Sequence, residues 1–250
     1  MRDNRLVESD FSYMDRLVDN TMQKIFNGAD MDAMSDLEKR KRIYDFLVKN
    51  NNYDFNLLNA ILASNPRYPA EEIYSILEGI ENTGRGEGVC NAFSYVYKLL
   101  LEKCNIPSML IIGKLRESDI SGLVQAGIKR ENIKRDSNGN YLIDHMFILV
   151  HNEDGSFSFD DPTCAILNKD KGINYFNYDK LGCMYRNQVE MKGFPTDYFE
   201  CIIGRNNQTE ADKEMSRKYD KGDPNGFLNL PDNIAIYNDR KDNRDEHEIE

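Results

Sequence analysis

The chain has 250 residues, 40% of them apolar and 30% charged, with a formal net charge of -11. That length suits one substantial domain with a modest extension, and the acidic balance argues against a nucleic-acid surface or attraction to anionic lipid. No apolar run approaches the roughly 20 residues of a membrane span, the longest being strand-sized stretches such as SMLIIG and MFILV.

In chain order, the opening MRDNRLVESDFSYMD carries acids where a secretory leader needs an apolar stretch, so the expectation is a cytoplasmic protein, or one of unknown location if a leader has been removed. Met14, Leu17, Val18, Met22, Ile25 and Phe26 recur at helical spacing, which predicts an amphipathic helix over 12–27. Ser35 followed by Glu38 three residues later is a capping box, ahead of a buried stripe of Ile43, Tyr44, Leu47 and Val48. A third helix is expected from Pro69, with Gly79 near its end. The stretch GRGEGVCNAF at 84–93 reads as a flexible glycine loop opening onto a fourth helix, Asn91 to Lys103, with Cys90 at or just before its N-terminus. After Pro107 the pattern turns to short β-prone runs: SMLIIGKL, HMFILV and SFSFD, the last two joined by NEDG as a tight turn on Gly155.

Helices first and antiparallel strands afterwards predict an α+β fold, a helical layer packed on a sheet. Between the first two strands lies a polar excursion, ESDISGLVQAGIKRENIKRDSNGN. It holds a short helix, Ile120 to Ile128, and is either a specificity lid or a tolerated loop insertion. The expected organisation is a helical extension at 1–34, a main domain at 35–205 and an acidic, largely flexible tail at 206–250.

The five cysteines, Cys90, Cys104, Cys164, Cys183 and Cys201, include no CxxC pair and suit reduced thiols better than a disulfide framework or zinc knuckle. Of the three histidines His247 belongs to the tail, leaving His145 and His151. His145 opens the strand HMFILV, and the hairpin brings SFSFDDP back so that Asp161 comes near it. A carboxylate that accepts from one ring nitrogen leaves the other facing a thiol. A thiol at a helix N-terminus has its thiolate favoured by unsatisfied N–H groups and the peptide dipoles, and the glycines before Cys90 leave its sulfur uncrowded. The spacing therefore suggests a Cys90–His145–Asp161 site. Asp160, one position earlier, is expected on the opposite face of its strand.

The blocks GEGVCNAFSYVYKLLLEKCNIPSMLIIG, DHMFILV and GSFSFDDPT resemble the transglutaminase-like superfamily of papain-like cysteine enzymes, over residues 40–180 or so. The resemblance implies a papain-like, transglutaminase-like fold with the nucleophile helix packed on an antiparallel sheet. It makes Cys90 the nucleophile, His145 the general base and Asp161, directly before Pro162, the orienting acid. It implies acyl transfer on a protein or peptide, with water giving hydrolysis or deamidation and an amine giving crosslinking, and no cofactor. The Cys90 backbone N–H is the natural oxyanion donor, and Tyr53 a second one because family members carry a comparable tyrosine before the nucleophile. Many bacterial members have a Trp after the histidine or the Asp-Pro-Thr block, whereas this chain has no Trp at all.

Other uses of these residues stay open. The cleft could hold a peptide or partner without catalysis, Cys90, His145 and Asp161 could bind zinc, and Cys164 could approach Cys90 as a redox control. No acidic loop has calcium-ligand spacing.

Overall fold

A computed structural model describes residues 10–64, 71–115, 117–135, 137, 139, 141–171, 175–177 and 190–192. Pro69, Cys183, Cys201, His247 and the 206–250 tail lie outside these residues.

The helical layer opens with α1 (Asp10–Phe26), whose Met14, Leu17, Val18, Met22 and Phe26 are all buried. In α2 (Asp36–Asn50) both halves of the capping box form. Glu38 N–H donates to Ser35 Oγ at 3.3 Å, and Ser35 N–H donates to Glu38 Oε2 at 2.9 Å. These bonds hold the Glu38 carboxyl below its usual range. A short strand β1 (Asn51–Tyr53), helix α3 (Phe55–Ser64) and helix α4 (Glu71–Thr83) follow. The helix expected to end near Gly79 thus continues to Thr83.

The glycine stretch is not a flexible loop. Gly86–Gly88 is a strand, β2, paired in parallel with β1 in the register Asn51–Gly86, Asn52–Glu87, Tyr53–Gly88. Its glycines serve close packing. A Cβ on Gly86 would fall 2.7 Å from the Ile76 carbonyl oxygen and 2.8 Å from Ile76 Cα, both backbone atoms of α4. Gly86→Ala should therefore destabilise the fold by about 1–3 kcal/mol, because a helix backbone cannot yield as a side chain does. An unchanged urea midpoint would contradict this packing.

Helix α5 (Cys90–Lys103) begins at Cys90 and is almost wholly buried. It is followed by β3 (Ser108–Lys114), α6 (Glu117–Gln125), a small hairpin of β4 (Lys134–Arg135) and β5 (Tyr141–Leu142), then β6 (Asp144–His151) and β7 (Phe157–Asp160). Helix α7 (Pro162–Leu167) and strand β8 (Glu190–Lys192) complete the described elements. The main sheet is antiparallel in the order β7–β6–β3–β8, so the architecture is α+β. The turn between β6 and β7 closes on Gly155, whose φ of 82° suits glycine.

The excursion carries its helix slightly earlier than expected, at 117–125. Ile120, Leu123, Ile128 and Ile133 are buried in one cluster with Leu58 and Ile61 of α3, and Asn59 ties α3 to the segment through the Lys129 N–H and the Gly127 carbonyl.

Strand β6 divides the core. Met146, Ile148 and Val150 join a first cluster with α1, α2, α4 and α5, while Phe147 and Leu149 join Phe159 in a second. The two-residue period of the strand produces this division. Tyr53 and Tyr175 pack against both clusters, and the candidate site lies along their seam.

Candidate functional site

The expected closeness of His145 and Asp161 is realised, by a different route. The β6–β7 ladder ends at the Ile148–Asp160 pair, three residues short of His145. Asp161 then leaves the strand as the N-cap of α7, with Pro162 at the first helical position. Its carboxylate is held at both oxygens. Oδ1 accepts the Cys164 backbone N–H at 2.8 Å, and Oδ2 lies 2.7 Å from His145 Nε2. The Asp161 N–H donates to the Tyr175 carbonyl at 2.9 Å. His145 is 5% exposed and Asp161 1%, and the imidazole stacks on Phe147 with centroids 6.1 Å apart.

Asp160 points to the other face and has a structural partner. Arg40, itself buried, reaches it from α2 with two parallel bonds, Nε to Oδ2 at 3.0 Å and Nη2 to Oδ1 at 2.9 Å. Tyr97 Oη donates to the same carboxylate at 2.6 Å, and the Asn177 N–H at 2.8 Å. Burial alone would lower the Arg40 pKa, but the charge of Asp160 and the Tyr97 oxygen leave it raised.

Three contacts orient α5 against the sheet. Ser94 Oγ donates to the Met146 carbonyl, Tyr97 reaches Asp160 opposite Ile148, and Lys98 Nζ donates to the carbonyl of Ser108, which pairs with Val150. Ascending α5 thus matches ascending β6, and Cys90, one turn before Ser94, starts the helix at the His145 end of the strand. Val89 occupies the N-cap and contributes no side-chain hydrogen bond to the first-turn N–H groups. Cys90 is 7% exposed, which corrects the expectation of an uncrowded sulfur beside an open loop. It is not hydrogen-bonded to the ring. Tyr53 stands opposite Gly88 in the β1–β2 ladder, two residues before Cys90, with its ring 5.0 Å from that of Phe55.

No family model matches the chain, and none of the curated proteins matches it. A buried His–Asp–Cys cluster is present, compatible with a triad-like arrangement, and its sulfur belongs to Cys164. Cys164 Sγ lies 3.7 Å from His145 Nε2. Nothing in the sequence's strand pattern placed it there, but an N-cap Asp followed by Pro was a legible helix start that turns residue 164 back toward the acid. Cys104, at the C-cap of α5, is a core thiol that burial pushes up to about 11. Among the described residues, no helix is long and apolar enough to cross a membrane.

Proposed function

We propose that this protein is a cysteine-dependent amide hydrolase or acyltransferase of papain-like, transglutaminase-like fold, acting on a protein or peptide, with the site carried by residues 35–205. The observation that carries this reading is the buried 2.7 Å contact between Asp161 and Nε2, rather than Nδ1, of His145. A carboxylate on Nε2 holds the ring proton there and leaves Nδ1 as the basic nitrogen, the division of labour a nucleophile–base–acid relay requires.

That division also argues for Cys90 over Cys164. Cys164 approaches the same nitrogen that Asp161 engages, so it competes with the acid instead of completing a relay. Cys90 begins a 14-residue helix with no side-chain cap, at the His145 end of β6. The first-turn N–H groups and the aligned peptide dipoles favour a thiolate there and an oxyanion beside it. In this mechanism His145 Nδ1 takes the Cys90 thiol proton as the sulfur attacks a carboxamide or peptide carbonyl, and the Cys90 N–H, with Tyr53 as a second donor, receives the oxyanion. The C–N bond breaks as His145 protonates the departing amine. Water then resolves the thioester to acid, or an amine resolves it to a new amide.

The test is iodoacetamide labelling across pH 6–9, with each modified cysteine identified by mass spectrometry. Cys90 should label at least about tenfold faster than Cys104 at pH 7, and His145→Ala should abolish the difference. Labelling of Cys90 no faster than that of the core thiol, and indifferent to His145→Ala, would overturn the catalytic reading in favour of a cleft that only binds.

A further inference from the structure

The cluster contains one group that the acyl-transfer chemistry leaves unused. Cys164 Sγ, His145 Nε2 and a carboxylate oxygen of Asp161 lie within 4.8 Å of one another, all buried. Thiolate, imidazole and carboxylate are the donors zinc takes, and a tetrahedral site with ordinary bond lengths separates sulfur from nitrogen by about 3.6 Å. The separation here is 3.7 Å. The nitrogen and oxygen, now 2.7 Å apart, would have to open to about 3.3 Å. A rotation of the carboxylate about Oδ1, which the Cys164 N–H holds in place, would provide this.

We propose that His145 Nε2, Asp161 Oδ2 and Cys164 Sγ form a site for a thiophilic divalent cation, zinc above all, and that the cation switches the imidazole off. The ligand site stands on geometry alone; its inhibitory consequence rests on the catalytic reading above. Binding requires the Nε2 lone pair and the Cys164 thiolate. In the neutral ring the proton moves from Nε2 to Nδ1, and the Cys164 proton is released to solvent. Nδ1 then has no lone pair with which to act on Cys90, so one ion both displaces Asp161 from its orienting role and blocks the base.

The surroundings suit a metal. The Asp161 carboxylate is oriented by the Cys164 N–H, the kind of outer support that ligating carboxylates have. Calcium and magnesium are poor candidates, since both demand mostly oxygen ligands.

Cobalt(II) is the probe, because tetrahedral thiolate ligation gives it visible absorption and a sulfur-to-metal charge-transfer band. The reduced full chain should bind one equivalent with both features, and equimolar zinc should displace it. The charge-transfer band should survive in Cys90→Ala and vanish in Cys164→Ala and Cys164→Ser, with affinity falling about a hundredfold. Zinc should slow iodoacetamide labelling of Cys90 at least tenfold in the parent and leave it unchanged in the Cys164 variants. Absence of the band, or its loss in Cys90→Ala with retention in Cys164→Ala, would overturn the site. A Cys164-dependent band with an unreactive Cys90 would uphold the site and sink the catalytic reading instead. Fast Cys90 labelling that zinc does not touch would uphold the catalytic reading and sink the switch.

Discussion

Arg40→Met is expected to lower the unfolding free energy by about 3–5 kcal/mol, the cost of stranding one partner of a buried ion pair. Arg40 fills a slot between α2 and the sheet, giving two bonds to Asp160, one to Ser158 and one to Asn152, with its guanidinium 5.1 Å from the Phe176 ring centre. The methionine would fill much of that volume, so most of the loss would come from electrostatics and not from a cavity. Asp160 would keep Tyr97 and the Asn177 N–H as donors but lose its counter-charge. For a domain of ordinary stability this is about a fifth or more of the total, and chemical denaturation at pH 7 would read it directly. Replacing both partners, Arg40→Met with Asp160→Leu, should recover much of the loss, since two apolar groups leave no charge behind. A single variant within about 1 kcal/mol of the parent would show that this pair does not hold α2 to the sheet.

That network also marks the limit of what the sequence makes legible. Where partners are close in the chain, the residues were enough. Ser35 and Glu38 announced their capping box, Gly155 its turn, and the apolar spacing of α1 the face that helix buries. Period-two alternation separated the roles of Asp160 and Asp161 before either contact was known. Arg40 could not be matched to Asp160, because 120 residues separate them and a single arginine on a helix carries no sign of burial. The glycines before Cys90 were misread for the same reason. Glycine permits flexibility and close approach alike, and only the position of Ile76 decides between them. The site was half legible. The hairpin brought His145 and Asp161 together in the right order, while the contact itself depends on α7 starting at Asp161, and that start is also what carries Cys164 to the ring.

Asp161→Asn provides the sharpest separation of catalysis from structure. Asparagine is as good an N-cap as aspartate, so its Oδ1 can still accept the Cys164 N–H and α7 should start as before, with stability within about 1 kcal/mol of the parent. Toward His145 the amide would present its NH₂ in place of Oδ2. A donor there requires Nε2 to be the acceptor, so the neutral ring would carry its proton on Nδ1. The nitrogen assigned to serve Cys90 would then be unable to take a proton, and turnover on an amide substrate should fall by about 10³–10⁴, the scale on which a misplaced imidazole tautomer acts in such relays. Labelling of Cys90 by iodoacetamide should drop with it, by about tenfold or more at pH 6–7. Asp161→Ala removes the cap as well, and should add a stability loss of about 1 kcal/mol to the same catalytic defect. If Asp161→Asn labels as fast as the parent while unfolding at the same denaturant concentration, the 2.7 Å contact is a helix-capping and packing device, and the acid has no part in preparing the thiol.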